Sequence, residues 1–345
     1  MKQNIVQTKS IMNQKIIFTL GIVSIFSLIF TACFIESKEQ ILFTQDSSIY
    51  VIDSDGNNLK KIVSSNSNNS PSWSPKYDQI LFISNSNNIA TVNRDKLDEI
   101  QIYEELKQDT TITDLQWSPN ARYISFNVDN NIQIYDIDTS EEILILQGYS
   151  YHDWSRDSEW IAISSSQNDS GGIVQRNPLG VNELNRTADP THFDPQWSPN
   201  NEKLTFLKPV EGNNHLYIMD LSSNSESNEP ILLYKNVSPE TTYSWSPNGK
   251  EIAFTSANNS ENNDEIYVIN IESLGIKRLT INSNKSDRNP VWSPDGSRIA
   301  FISSKEGDNN TSIYAAYIMY DDGTKQEKIT EYTLGNQTLG WYAHN

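Results

Sequence analysis

Residues 289–301 read NPVWSPDGSRIAF, and residues 244–254 repeat the arrangement as SWSPNGKEIAF. In both segments a tryptophan is followed by proline, then by Asp or Asn with glycine, and an apolar run begins seven residues after the tryptophan. Proline fixes φ for the second position of a tight turn, while Asn, Asp and Gly favour the positions that follow. Each segment therefore predicts a strand, a tight turn and a second strand.

Related segments recur along the chain at a mean spacing of about 45 residues, the length of a four-stranded propeller blade. The tryptophans in phase with this repeat are Trp73, Trp117, Trp154, Trp197, Trp245, Trp292 and Trp341. After most apolar runs comes a third segment, in which Asp or Asn stands four residues after an aliphatic residue, as in Ile266 and Asn270. A fourth, less regular segment follows, such as KRLTI at 277–281. Four short antiparallel strands per repeat indicate blades, with the tryptophans packed between them.

The two ends of the chain together supply one further blade. Residues 40–63 contain three strand-like segments, QILFTQ, SIYVIDSDG and LKKIV, with no tryptophan strand before them. Residues 338–345, TLGWYAHN, contain a tryptophan strand without the other three. We therefore predict an all-β, seven-bladed propeller over residues 40–345, closed by the C-terminal strand beside the N-terminal three. An open β-solenoid would not explain the split blade, and closure removes exposed sheet edges.

The repeat P-x-W-S-P-[DN]-G-x-x-I-A-F resembles the repeat of TolB-type β-propellers, and the resemblance covers residues 40–345. The chain departs from that pattern at residues 154–157 (WSRD), at residues 341–344 (WYAH) and around residues 160–190. The resemblance implies a propeller fold. It does not imply one function, because the family includes binding proteins and accessory domains of enzymes.

The first part of the chain has the features of an export signal. Residues 1–32 carry three lysines and no acidic residue, and residues 16–30 form an apolar run of signal-peptide length, short for a bilayer span. Small residues precede the only cysteine, Cys33, and this arrangement resembles the lipobox of bacterial lipoproteins, in which the cysteine becomes lipid-modified after cleavage. We predict a lipoprotein-type signal peptide over residues 1–32, lipidation of Cys33 and a short tether over residues 33–39. The alternatives are an uncleaved N-terminal anchor and a plain secretory signal, and each would also export the remaining chain.

The charge of the chain argues against several classes of partner. The 345 residues include 26 basic and 44 acidic side chains, which give a formal net charge of −18. Nucleic-acid binding needs a basic surface, and so does a polybasic hold on anionic lipid. We therefore expect no nucleic-acid partner. Since there is only one cysteine, the chain forms no internal disulfide.

Few residues are candidates for catalysis or metal binding. Three histidines, His152, His192 and His344, lie near tryptophan strands, which line the central channel of a propeller. Some propeller lyases with similar repeats hold a divalent metal with channel histidines, so these three are the candidates for a metal site. Their different offsets from the tryptophans argue against convergence, and we predict no metal, no cofactor and no catalytic residue. We also interpret Asp53–Asn58 as a hairpin turn rather than a calcium loop, and residues 261–265 (ENNDE) as a solvated loop.

These observations favour a non-catalytic, membrane-tethered propeller that acts as a binding or scaffold module of the cell envelope. The sequence contains no G-x-S-x-G nucleophile motif and no glycine-rich phosphate loop. We expect the chain to be a monomer facing the periplasm or the cell exterior. Its expected partners are the membrane, through the lipid anchor, and an envelope protein, peptide or glycan. The alternatives are a channel-centred, metal-dependent enzyme, such as a polysaccharide lyase, and a purely structural or sensory envelope component.

Overall fold

The computed structural model describes residues 39–64, 69–84, 88–105, 112–165, 172–222, 229–238, 242–257, 263–306, 311–334 and 339–342. The predicted signal peptide, Cys33 and His344 lie outside the described residues, as does the tether apart from Glu39. Every regular element in the described ranges is a β-strand. These ranges accordingly contain no helix with the length and apolar character needed to cross a membrane.

The strands form seven groups, numbered here as blades 1 to 7 in chain order. Blade 1 contains β1 (Gln40–Gln45), β2 (Ser48–Asp53) and β3 (Lys60–Val63). Blade 2 contains β4 (Asn69–Trp73), β5 (Gln79–Ser84), β6 (Asn88–Asn93) and β7 (Lys96–Glu105). Blade 3 contains β8 (Ile112–Trp117), β9 (Tyr123–Val128), β10 (Asn131–Asp136) and β11 (Glu141–Gln147). Blade 4 contains β12 (Tyr149–Trp154), β13 (Ile161–Ser165), β14 (Ile173–Arg176) and β15 (Glu183–Asn185).

The remaining strands follow the same plan. Blade 5 contains β16 (Phe193–Trp197), β17 (Lys203–Val210), β18 (Asn213–Asp220) and β19 (Ile231–Val237). Blade 6 contains β20 (Ser244–Trp245), β21 (Glu251–Ser256), β22 (Glu265–Asn270) and β23 (Ile276–Arg278). Blade 7 contains β24 (Lys285–Trp292), β25 (Arg298–Glu306), β26 (Ser312–Tyr320), β27 (Glu327–Lys328) and β28 (Thr333–Leu334). The last strand of the chain is β29 (Leu339–Tyr342).

Strand β29 closes the ring by joining blade 1. It pairs antiparallel with β1, with Gln40 opposite Tyr342 and Phe43 opposite Leu339. The resulting sheet has the order β29-β1-β2-β3, and blades 2 to 6 each contain four consecutive antiparallel strands. Blade 7 has one strand more, because β28 also pairs with β26. The structure therefore confirms an all-β, seven-bladed propeller with a split first blade over the described residues.

In five blades the serine after the repeat tryptophan fixes the turn that follows it. In blade 6 the Ser246 amide donates to the Glu251 carbonyl (2.8 Å), and Ser246 Oγ accepts a hydrogen bond from the Glu251 amide (2.9 Å). The same hydroxyl donates to Asn248 Oδ1 (2.9 Å). Buried serines make the same three contacts in four other blades, at Ser118, Ser155, Ser198 and Ser293. The W-S-P-[DN]-G motif is thus a buried hydrogen-bond network as well as a turn.

The repeat tryptophans pack between neighbouring blades, but only some of their indole N–H groups have a partner. Trp154 Nε1 donates to Ser125 Oγ (2.7 Å), and Trp245 Nε1 donates to Thr205 Oγ1 (3.0 Å). Each acceptor is the middle residue of the apolar run in the preceding blade, ISF or LTF. Where that run is ILF, IAI or IAF, its middle residue is Leu or Ala and cannot accept a hydrogen bond. The tryptophans that follow such runs keep a buried Nε1 without a partner: Trp73, Trp117, Trp197, Trp292 and Trp341.

The segment Asp53–Asn58 forms the turn after β2, as the sequence predicts. The Gly56 amide donates to the Asp53 carbonyl (2.9 Å), and Gly56 has a φ angle of 80°, which favours glycine. The Asp53 carboxylate accepts hydrogen bonds from Gln40 Nε2 (2.8 Å) and Asn58 Nδ2 (2.7 Å). Both of its oxygens therefore have protein partners, one on β1 and one within the turn.

The acidic segment 261–265 is not a solvated loop in its described part, so that prediction is wrong there. Asp264 and Glu265 are buried at the start of β22. Glu265 accepts hydrogen bonds from Arg278 Nη2 (3.1 Å) and from the Thr280 hydroxyl. A buried carboxylate needs such partners, and these partners are 13 and 15 residues away in sequence. The local acidic composition therefore gave no sign of burial.

Candidate functional site in the central channel

Bulges in the innermost strands shape the wall of the central channel. The pairing of β8 with β9, and of β16 with β17, shifts register shortly before the repeat tryptophan. Within these bulges Asp114 and Asp194 have left-handed backbones, with φ angles of 51° and 53°. A bulge inserts a residue that the partner strand does not match, and so changes the direction of its side chain. Because the innermost strands border the channel, these aspartates lie on its wall.

Three carboxylates from successive blades lie near one another on this wall. Asp114 in blade 3, Asp153 in blade 4 and Asp194 in blade 5 are each half-buried and repel one another electrostatically. Burial, followed by the charges of Asp114 and Asp153, raises the pKa of Asp194 to about 7. Burial also raises the pKa of Asp153 to about 6, although the charge of Arg156 opposes this rise. Carboxylates with pKa values near neutrality are more common at functional sites than elsewhere.

Asp114 is held by a chain of buried side chains. Trp154 Nε1 donates to Ser125 Oγ (2.7 Å), Ser125 Oγ lies 2.7 Å from His152 Nε2, and His152 Nδ1 lies 2.8 Å from Asp114 Oδ2. Gln116 Nε2 donates to the other carboxylate oxygen of Asp114 (2.6 Å). The His152 backbone amide donates to Asp114 Oδ2 (3.3 Å), whereas His152 Nδ1 is close to that oxygen without the geometry of a hydrogen bond. Burial raises the pKa of Asp114, but the contacts with His152 and Gln116 together bring it below its ordinary value.

The order Ser125, His152, Asp114 has the connectivity of a nucleophilic triad, but its burial does not suit that chemistry. Ser125 is 0% exposed, and the indole of Trp154 donates to its hydroxyl. A nucleophile must approach the reacting carbonyl atom of a substrate, and this hydroxyl lies in the packed seam between blades. We therefore interpret the chain of contacts as positioning Asp114 on the channel wall.

Side chains just before the repeat tryptophans join the innermost strands of blades 3 to 6 to the next blade. Gln116 Nε2 donates to the His152 carbonyl (2.8 Å), and the Trp197 amide donates to Asp153 Oδ2 (2.7 Å). Ser244 Oγ makes the corresponding hydrogen bond to the innermost strand of blade 7 (2.7 Å). These bonds restrain the wall, so the carboxylates cannot easily move apart to relieve their repulsion.

Asp194 differs from the other two carboxylates because no hydrogen-bond donor among the described residues contacts its side chain. Its backbone carbonyl accepts a hydrogen bond from the buried Tyr243 hydroxyl (2.7 Å), which fixes the main chain and leaves the carboxylate unbonded. On the neighbouring strand, Tyr151 is 38% exposed and packs against Phe193 at a ring distance of 5.4 Å. This part of the wall therefore presents an unpartnered carboxylate near an accessible aromatic ring.

The histidines singled out from the sequence do not share a site where they are described. His152 Nε2 lies 2.7 Å from Ser125 Oγ, and Nδ1 is close to Asp114 without a hydrogen bond. His192 lies against the Phe206 ring at 4.5 Å, with Nε2 3.6 Å from Asp189 Oδ2, and burial lowers the pKa of His192 to about 4 despite the opposing charge of Asp189. His344 lies outside the described residues. Within the described ranges, no group of three His, Cys, Asp or Glu side chains has the geometry to hold a metal ion.

The channel carboxylates were not singled out from the sequence. Asp114 and Asp194 stand three residues before their tryptophans, and Asp153 stands one residue before its own. An acidic residue within the tryptophan strand of three consecutive repeats is a recognisable signal, because that strand lines the channel. The aspartates stand at two different distances from their tryptophans, and the bulges that place them on the same wall could not be inferred from the spacing alone.

Comparison with known families supports this architecture. Residues 180–342 match the TolB beta propeller domain family, and residues 71–151 match the Anaphase-promoting complex subunit 4 WD40 domain family. The fold is that of a TolB-type propeller. Comparison with curated protein sequences gave no match.

Several solved structures share this TolB-type fold at low sequence identity. TolB from Acinetobacter baumannii is 17% identical with a TM-score of 0.52, and the match covers 87% of this chain and 65% of that one. Oligogalacturonate lyase from Vibrio parahaemolyticus is 13% identical with a TM-score of 0.62, covering 79% of this chain and 82% of that one. An oligogalacturonate lyase in complex with manganese is 15% identical with a TM-score of 0.60 and the same coverage. At such identities these likenesses concern the fold alone.

Proposed function

We propose that this protein is an exported, non-catalytic binding propeller, tethered to a bacterial membrane through Cys33, that holds a cationic group of a peptide or protein in its channel. The main support is the Asp194 carboxylate, which has no hydrogen-bond donor among the described residues and stands near Asp114 and Asp153. A lysine, arginine or terminal amine would supply both the missing donors and the opposite charge. Tyr151 would add an accessible ring against which the stem of such a side chain can pack.

The pH dependence of binding should identify the carboxylates that take part. A cation binds the ionised form of Asp194, whose pKa is raised to about 7 by burial and by its acidic neighbours. Affinity for a cationic ligand should therefore rise as the pH increases from about 6 to 8. A ligand bound only by exposed carboxylates of ordinary pKa would show little change over this range.

The proposal can be tested with tri-lysine peptide as the probe. Asp194→Asn should weaken tri-lysine binding at pH 8 by about tenfold, because it removes the unpartnered negative charge. Asp46→Asn is the matched control, since it removes one charge from an exposed turn with a left-handed backbone (φ 47°). Titration calorimetry with the wild type and both variants gives the three affinities. Equal weakening by the two substitutions would show only a net-charge effect and would contradict the channel site.

Membrane tethering is tested separately, in cells that express the full chain. Cys33→Ala should abolish incorporation of labelled fatty acid and release the propeller from the membrane fraction. Loss of label with continued membrane retention would instead support the uncleaved N-terminal anchor. Release of unlabelled wild-type protein would support the plain secretory signal.

The alternative function is a metal-dependent enzyme centred on the channel. It draws on the likeness to oligogalacturonate lyases, one of which is in complex with manganese. Purified protein holding a stoichiometric divalent ion that is lost in His152→Ala would support this alternative. The binding proposal instead expects His152→Ala to change the position and titration of Asp114, because His152 Nδ1 lies 2.8 Å from that carboxylate.

A further inference from the structure

Three lysines of blade 7 gather around two tyrosines in a chain whose net charge is −18. Lys285 Nζ lies 3.3 Å from the Tyr317 hydroxyl, which in turn lies 3.0 Å from the Tyr332 hydroxyl. Lys305 Nζ and Lys328 Nζ lie 4.2 Å and 5.5 Å from the centre of the Tyr332 ring. These five residues are named here the blade 7 basic cluster.

Two lysines of this cluster face each other directly. Strand β24 pairs with β25 so that Lys285 stands opposite Lys305. Directly opposite residues of an antiparallel pair project from the same face, with Cβ atoms about 4.5–5.5 Å apart, and like charges in such positions repel. Both lysines are half-buried, so water screens this repulsion less than it would on an open surface.

Neither lysine of this pair forms an ion pair with a carboxylate of the described residues. Lys328, by contrast, pairs with Glu331 (2.8 Å). The buried Asp287 interacts with Lys285 only over a longer distance, and burial, reinforced by the charge of Glu265, raises the pKa of Asp287 to about 6. The tyrosine rings offer weak cation–π attraction and no negative charge.

We propose that the blade 7 basic cluster is a binding site for a phosphate-type oxyanion. The three ammonium groups are hydrogen-bond donors, and so is one tyrosine hydroxyl, since the proton of the other lies in the Tyr317–Tyr332 hydrogen bond. A tetrahedral oxyanion offers several acceptor oxygens with multiple negative charge. Binding would relieve the repulsion between Lys285 and Lys305. A carboxylate, with two oxygens and one charge, would satisfy fewer of these donors and should bind more weakly. The proposal does not depend on the function proposed for the channel.

Inorganic phosphate is the probe for the first test, titrated into the purified chain at pH 7.5 and constant ionic strength. Wild-type protein should bind one phosphate saturably, and Lys305→Gln should weaken that binding by about tenfold or more. Lys325→Gln is the matched control, since its ammonium stands 5.3 Å from the Tyr320 ring without a second lysine in that contact. It should bind phosphate as the wild type does. No saturable binding to the wild type, or equal binding to wild type and Lys305→Gln, would overturn the proposal.

A thermal measurement separates loss of the site from loss of folding. In phosphate-free buffer, Lys305→Gln should melt at the wild-type temperature or above it, because the substitution removes one of two apposed charges. Added phosphate should raise the melting temperature of the wild type and of Lys325→Gln more than that of Lys305→Gln. An equal phosphate-induced rise in all three proteins would overturn the assignment to this cluster.

Two further arms distinguish the source of the oxyanion. Retention on phosphatidylglycerol vesicles, absent for phosphatidylcholine and lost in Lys305→Gln, would assign the site to a lipid headgroup. Saturable binding of inorganic phosphate without such retention would assign it to a soluble phosphate compound. Acetate tested at the same concentration should compete poorly, and competition equal to that of phosphate would contradict the tetrahedral preference.

Discussion

At the scale of single residues, one hydroxyl determines whether a buried indole N–H has a partner. Trp154 has Ser125 as its acceptor, whereas Trp197 faces a blade whose apolar run places Ala162 in the same position. A buried N–H without a partner costs about 1–3 kcal/mol, and a hydrogen bond restored to it contributes about 1 kcal/mol. The repeat therefore conserves the packing of its tryptophans more strictly than their hydrogen bonds.

We expect Ala162→Ser to increase the free energy of unfolding by about 1 kcal/mol, because the new hydroxyl can accept from Trp197 Nε1. Ser125→Ala should decrease it by about 2 kcal/mol, because both Trp154 Nε1 and His152 Nε2 lose their partner. Urea unfolding of the wild type and the two variants measures both changes. Shifts of the same sign for the two substitutions would refute this explanation.

The raised pKa of Asp194 leads to a second prediction at this scale, on how the stability of the protein depends on pH. Burial and acidic neighbours raise the pKa of Asp194 to about 7 in the folded chain, against an ordinary value of 3.8. The folded state thus holds the proton more tightly, and stability from this group is fully present below about pH 4 and is lost as the pH rises through 7. Asp194→Asn should therefore stabilise the protein at pH 8, by on the order of 2 kcal/mol after screening by channel water.

The measurement is the melting temperature at pH 5 and pH 8. The gain from Asp194→Asn should be larger at pH 8 than at pH 5, while Asp46→Asn should show no such difference. A gain independent of pH would mean that the Asp194 carboxyl does not carry a raised pKa.

At the scale of elements, strands and turns followed closely from the sequence. The spacing from tryptophan to apolar run predicted the first two strands of a blade, since proline, Asn or Asp, and glycine leave the chain few turn geometries. Prediction from the local sequence pattern failed where the partners of a residue are distant in sequence. Glu265 is an example, because its ion-pair partner Arg278 lies on the next strand. It also failed at the bulges holding Asp114 and Asp194, because the extra residue alters side-chain direction without altering composition.

At the scale of the whole molecule, both candidate sites depend on the ring and on blade pairing. The channel wall combines Asp114, Asp153 and Asp194 from three blades. The blade 7 basic cluster depends on the register that places Lys285 opposite Lys305. The sequence shows each of these residues, but only strand pairing and blade stacking show which of them meet. The net charge alone would have argued against an anion site on this protein.

The central claim is that β29 closes the ring beside β1, with Phe43 opposite Leu339. The most direct measurement is hydrogen exchange on the whole chain and on a chain truncated after Thr338. We predict that truncation removes the protection of the β1 amides that pair with β29 and lowers the melting temperature, because blade 1 loses its innermost strand. Unchanged protection across residues 40–43 and an unchanged melting temperature would contradict the closed ring.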